Sequence, residues 1–465
     1  MASTSFFFLR EDQAAFFDGV FLAEDSEVEA FVAEVRRVVK STGGKASCGN
    51  SQWSAARETS KQANKLDEEG VEIAVCRHGF LLKGLNMFRG EIFAYPMFLQ
   101  KEFQTATFFA MDVTCRYVPY LQKVTDALHH LAPLKDMKPS LSVMHARAHC
   151  AKCEIKWSAR NQEGVGTTLG EEVEQVNSFL SRCALTTKYM SKPARTDMLT
   201  VHAMGWNERK RKNLQQALCS RFSKTVNNIK TASLNLSKMQ EGFQCTDDTL
   251  KLWVDEVKEW ARNGRSAAIP GDVTGLQESI ENLFLSIRQK KHYIYRDYDR
   301  NKKRHNVAVK IAQQKRRLLQ KIEQYNQQSA ADKVDVTTVQ QKLSAKTPDS
   351  MIWPWEDHVT DGVDMFAKKE LFDQQMLLSR LEEERQILAK EMMQHCSYLN
   401  HSQEKVHALL MNILDFPRSS VSEDCLWLDD SLDELESEMN WQTERESSDD
   451  DEVDTEEEEE EEEET

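Results

Sequence analysis

Residues His145–Ser178 read HARAHCAKCEIKWSARNQEGVGTTLGEEVEQVNS, and this span decides how the first half of the chain is read. His145 and His149 stand one helical turn apart, Cys150 and Cys153 have CxxC spacing, and Gly164-Val165-Gly166 marks a tight turn. Gly170-Glu171-Glu172-Val173-Glu174 then opens a helix. Upstream, Thr105–Val113 (TATFFAMDV) is an apolar strand pattern ending on Asp112. Alternating strands and helices with acids at strand ends predict an α/β or mixed sheet with helices on its faces.

Two kinds of chemistry fit these residues. Glu171 and Glu174 lie three apart and share a helix face. Carboxylates from sequence-distant elements, with Asp112 at the end of a strand, can hold divalent cations that activate water or a 3′ hydroxyl at a phosphodiester. The plainer alternative is a turn aspartate and glutamates that complement a helix dipole. His145, His149, Cys150 and Cys153 could supply two to four zinc ligands. A CxxC without a second pair equally describes ordinary buried residues. Cys76-Arg77-His78-Gly79, followed by Lys83, Arg89 and Glu91, reads as phosphate contacts or as a structural turn.

Other strand expectations fall on Ser5–Leu9, Val71–Cys76 and Ser140–Met144, and helices on Ser26–Val39, Tyr120–Leu131 and Glu171–Leu185. From Asn207 onward the pattern is helical, over Asn207–Leu236 and Asp247–Arg262. A long helix starting at Leu276, Ile280, Leu283 and Ile287 is expected to run to Tyr325. Its stretch Arg288–Lys321 holds 13 basic residues against Asp297 and Asp299 only. Arg288, Lys290, Lys291, Arg296, Lys302, Lys303, Arg304, Lys315, Arg316 and Arg317, with Tyr293, Tyr295 and Tyr298 interleaved, suit a nucleic-acid backbone. A solvated basic face is the ordinary alternative. Asn207–Lys212 (NERKRK) is a second basic cluster, and either could act as a nuclear import signal.

Residues 329–362 read as a polar linker around Met351-Ile352-Trp353-Pro354-Trp355. Residues 363–416 read as a coiled-coil-like helix, with Leu371, Leu378, Met392, Leu399, Val406 and Ile413 at heptad spacing and Arg385 interrupting. Such a helix can mediate self-association, or simply pack in a helical core. The net charge of −16 is concentrated at the end: 14 acids and no bases lie in 449–465, leaving −2 for the rest. Residues 417–465 are expected to be a disordered acidic tail, a solubilising extension or a docking site for basic proteins. No run approaches the ~18 apolar residues of a membrane span. The scattered ten cysteines fit a reducing, nuclear (alternatively cytoplasmic) setting.

A wider set of motifs carries a resemblance. Cys48–Ala56 (CGNSQWSAA), Cys76–Gly79, Arg89–Glu91, Met111–Cys115 and Gly170–Gln175, in that order, resemble the Kyakuja–Dileera–Zisupton (KDZ) transposases over about residues 10 to 220. The resemblance implies a ribonuclease-H-like fold whose Asp-Asp-Glu site binds Mg²⁺ or Mn²⁺ and cleaves and joins DNA. Asp112 matches the second aspartate. The third acid is Glu171 or Glu174, with Glu171 favoured. His149 and Cys153 fall in the family's His/Cys stretch.

The family's first aspartate has no counterpart here. Ser5–Leu9 contains no acid, and Asp12, Asp18 and Asp25 lie in polar or turn-like contexts. The chain is therefore expected to lack the N-terminal part of the family's catalytic domain. The architecture expected is an incomplete ribonuclease-H-like α/β domain (1–221), a helical basic region (222–328), the linker, the coiled-coil-like helix and the tail. The activity expected is that of a transposase-derived protein, impaired in strand cleavage. The alternative is an inactive DNA- or protein-binding factor using the basic helix and coiled coil.

Overall fold

The structure, a computed structural model, describes residues 14–39, 46–48, 51–53, 68–88, 90–146, 149–262, 272–294, 301–329, 333–344, 351, 353–355 and 363–414. The strand expected at Ser5–Leu9 and the acidic tail lie outside them. The elements run α1 (Asp25–Val38), β1 (Ala46–Cys48), β2 (Ser51–Trp53), β3 (Gly70–Val75), β4 (Leu81–Met87), α2 (Ala94–Glu102), β5 (Phe108–Ala110) and α3 (Thr114–Ala127). There follow β6 (Lys138–Ser140), α4 (Val143–Ala146), α5 (Ala151–Trp157), α6 (Glu172–Leu180), α7 (Ala184–Thr187), α8 (Lys192–Gly242) and α9 (Asp247–Arg262). Last come α10 (Val273–Ile294), α11 (Asn301–Gln328), α12 (Val336–Ser344) and α13 (Met365–Leu414). A small α/β region thus precedes a large helical one.

Among the described residues the strands pair two by two. β1 with β2 and β3 with β4 are antiparallel, and β5 with β6 is parallel. The nine residues expected as one strand around Phe108 contribute only three to a ladder. Their partner β6 is equally short and has Pro139 at its centre, which has no N–H to donate to the ladder. Helices supply most of the packing around these strands. α1 buries Val28, Phe31, Val32 and Val35, spaced by three and four residues, against Tyr95, Met97 and Phe98 of α2 and Tyr117, Leu121 and Val124 of α3. Each such side chain, fully buried, contributes about 1.5–3 kcal/mol.

The helical region departs from expectation in two places. Instead of one helix from Leu276 to Tyr325, α10 and α11 lie side by side and antiparallel. Gln277 reaches the Tyr325 hydroxyl at 3.5 Å and Ser286 donates to Gln314 Oε1 at 3.4 Å. One straight helix would leave Leu276, Ile280, Leu283 and Ile287 in water; paired, they bury against Ile311, Leu318 and Ile322. Residues read as a polar linker contain α12, whose Val339 and Leu343 join the same core with Trp353. Trp353 and Trp355 stack at 5.3 Å.

Compactness divides the chain into Met1–Met393 and Gln394–Thr465. In the first unit, Leu371, Phe372 and Met376 of α13 pack with Ile155 of α5, Leu236 of α8 and Trp253 of α9. In the second, α13 continues to Leu414 with Tyr398, Leu399, Val406 and Leu409 exposed.

Candidate metal centre

β5 and β6 are parallel, so their C-terminal ends lie on one edge, where open α/β sheets place their ligands. Asp112 follows β5 and Ser142 follows β6; the Ser142 hydroxyl donates to Asp112 Oδ1 at 3.2 Å. His145, on α4, sets Nε2 3.3 Å from Asp112 Oδ2 and 3.9 Å from Glu174 Oε1. Asp112, His145 and Glu174 therefore present three donor atoms within 4.8 Å of one another.

Gly170 makes this convergence possible. Its φ of +75° is readily open to glycine, and a Cβ would come within 3.3 Å of Ala110 and of the Ser142 backbone. The chain can thus pass close over the strand ends and start α6 beside Asp112. Glu171, the acid favoured on sequence, is used elsewhere: its Oε1 accepts the Met144 N–H at 2.5 Å. Of the two glutamates, Glu174 is the one the fold brings to Asp112.

The electrostatics mark a crowded acidic site. Burial raises the Asp112 pKa, with Glu174 adding to the shift and His145 and Ser142 opposing it. The imidazole of His145 facing it lowers the Glu174 pKa, and Glu174, with Asp112, raises that of His145 in return. Glu72 of β3 is pushed up to about 7, first by burial and then by the charges of Glu91 and Asp112. Glu91 is raised by burial and by Asp112. Glu72 is a carboxylate whose titration feels Asp112 and which sequence reasoning did not single out. Its position inside GVEIAV, an ordinary strand pattern, carries no signal of a neighbouring carboxylate.

The zinc residues expected from sequence separate into two places. His145 faces the acids. His149 and Cys153 meet Cys115, whose Sγ lies 3.5 Å from His149 Nδ1, with Cys153 Sγ at 3.4 Å. Cys150, the N-cap residue of α5, packs against the same apolar cluster, and its sulfur is not among the three grouped donor atoms.

The glycine turn is held from far along the chain. Gly164 and Gly166 N–H groups donate to Glu383 Oε2 at 2.9 and 3.4 Å, and Thr167 N–H to Glu384 Oε2 at 2.9 Å. Glu384, fully buried, pairs with Arg77 at 2.8 Å and Arg221 at 2.6 Å. Beside it, His78 Nε2 lies 3.2 Å from Glu391 Oε2. Cys76 and Glu391 raise the His78 pKa to about 9. Burial disfavours the Cys76 thiolate, but the His78 hydrogen bonds outweigh it and lower that pKa.

The basic residues divide similarly. Arg288 is buried, 3.1 Å from Asp364 and with its guanidinium 4.0 Å from the centre of the Phe366 ring, so it faces inward. Lys291 donates to the Leu343 carbonyl, and burial followed by Lys310 lowers the pKa of the half-buried Lys290. Arg304 and Lys315 are half-buried, and Arg316 and Arg317 are exposed on α11. Arg296 and the side chains of Lys302 and Lys303 lie outside the described residues. Among the described residues no helix is long and apolar enough to cross a membrane.

Comparison with known proteins agrees with the motif reading. No curated protein and no solved structure matches the chain. Residues 2–207, which carry β3 to β6, the acid group and the cysteine–histidine group, match the family model of the Kyakuja-Dileera-Zisupton transposase.

Proposed function

We propose that the matched region keeps a divalent-cation site for phosphodiester cleavage and strand transfer on DNA, of ribonuclease-H-like ancestry, acting in the nucleus. The observation that carries this reading is the meeting of Asp112, from the end of β5, with Glu174, from α6, and His145. The donor set fits a cation. His145 Nε2 is enclosed and faces two carboxylates, at 3.3 and 3.9 Å. Carboxylates suit Mg²⁺ and Mn²⁺, and the imidazole tilts the preference toward Mn²⁺. When bound, such an ion supplies Lewis-acid stabilisation of the charge that develops on phosphate oxygens.

The chain's own residues do the rest. Ser142 orients Asp112, and Gly170 holds α6 close enough for Glu174 to face it. Arg316 and Arg317, with Arg304 and Lys315, offer α11 to the DNA backbone.

A second reading, a DNA-binding factor without cleavage, is favoured by the same donor set: two carboxylates and an imidazole meet where a two-cation site uses three acids. Purified full-length protein with Mn²⁺ or Mg²⁺ and DNA carrying the element's ends tests both. Nicking that Asp112→Ala and Glu174→Ala each reduce at least a hundredfold supports the first. DNA binding without nicking supports the second, and no DNA binding overturns both.

A further inference from the structure

The geometry points to a zinc ion bound by Cys115, His149 and Cys153 that fastens the Asp112 loop, a site separate from the acid group and independent of whether the protein cuts DNA. His149 Nε2 lies 3.1 Å from the main-chain oxygen of Asp112. A carbonyl oxygen can only accept, so Nε2 carries the proton and Nδ1 carries the lone pair. That lone pair faces two sulfurs at once, Cys115 at 3.5 Å and Cys153 at 3.4 Å. One lone pair accepts one good S–H hydrogen bond. Two sulfurs converging on it are better described as corners of a polyhedron around a shared cation.

The lengths agree. With Zn–S near 2.3 Å and Zn–N near 2.0–2.1 Å at tetrahedral angles, a sulfur–nitrogen edge is about 3.6 Å. The three donor atoms lie within 4.8 Å of one another, and His149 and Cys153 are buried. Two soft thiolates and an imidazole select zinc over Mg²⁺ or Mn²⁺. Binding requires both thiols to release their protons to solvent. The fourth position is left to solvent, since the Cys150 sulfur is not among the grouped donor atoms.

The consequence concerns Asp112. Cys115, in the first turn of α3, lies three residues after it, and His149 grips its carbonyl, so the ion ties α3 and α5 around the loop that presents the acid. A ligating histidine whose other nitrogen is bonded to a backbone carbonyl is the usual way a metal site orients its ligand. Here the grip also works in reverse: with the ring held by zinc, the carbonyl of Asp112 is held by the ring.

The full-length protein, purified from zinc-supplemented culture, is assayed for metal by mass spectrometry and, after exchange into Co²⁺, by absorption. One zinc per chain is expected, with near-ultraviolet thiolate-to-Co²⁺ bands in the exchanged protein. Cys115→Ser and Cys153→Ser are expected to abolish the bound zinc and the bands, and Cys219→Ser, an exposed position on α8, to keep both. Should the Cys115 or Cys153 variants not fold, the wild-type spectrum still decides, because Co²⁺ without thiolate bands overturns the assignment. Wild-type protein free of zinc, or Cys115→Ser and Cys153→Ser retaining it, overturns it too. None of these readouts depends on strand cleavage.

Discussion

Glu384 is fully buried and lies 2.6 Å from the Arg221 guanidinium, an ion pair between α13 and α8 that also takes in Arg77 at 2.8 Å. The same carboxylate accepts the Thr167 N–H, so one side chain pairs with two cations and holds the glycine turn. A charge so placed is tolerated because both of its oxygens have donors. The turn before Gly170 is therefore set in part by a helix more than two hundred residues away.

Replacing Glu384 by alanine leaves two partly buried guanidinium groups without their shared anion. We expect a loss of about 3–5 kcal/mol from the unfolding free energy of the first unit, read from urea denaturation. Glu384→Gln keeps an acceptor and is expected to cost less. Equal losses in the two variants would assign the effect to packing.

His78 provides a pH-dependent contribution. Its folded pKa of about 9 lies above the ordinary 6.5, so the stability it supplies is complete below pH 6.5 and disappears as pH rises through 9. Glu391→Gln removes one of the partners that raise it. Histidine-selective NMR titration should then show the His78 midpoint lower by roughly one to two pH units. An unmoved midpoint would leave Cys76 as the partner responsible.

Basic residues on α10 and α11 should separate by consequence. Arg288→Ala leaves Asp364 buried beside α13, where it also accepts the Met351 and Ala367 N–H groups, and should destabilise the fold by about 3–5 kcal/mol. Arg316→Ala and Arg317→Ala should leave the melting temperature unchanged. Each is expected to weaken DNA binding and to reduce the salt-dependence slope by about 0.9 for each phosphate it no longer neutralises. A slope unchanged in both variants would remove α11 from the DNA interface.

Gly170→Ala tests the approach of α6 to the strand ends. The positive φ and the 3.3 Å approach to Ala110 and Ser142 make any side chain there strained. A stability loss of about 1–3 kcal/mol is expected, with Mn²⁺ affinity reduced by the displacement of Glu174 from Asp112. Calorimetry that shows unchanged Mn²⁺ binding would detach α6 from the cation site.

The order of motifs was enough to identify the family region, because each motif is local and needs only its own residues. Periodicity likewise placed α1 within one residue at either end and α9 over its full length, since an amphipathic stripe is written at a 3.6-residue spacing wherever the helix packs. Tertiary structure decided what local pattern cannot express. It selected Glu174 over Glu171 at Asp112, moved Cys115 into the thiol group, and turned Arg288 and Glu384 inward. Each of these depends on which sequence-distant surfaces meet. The burial of a charge or the sharing of a lone pair is a property of the pair formed, and neither residue announces its partner within its own stretch of chain.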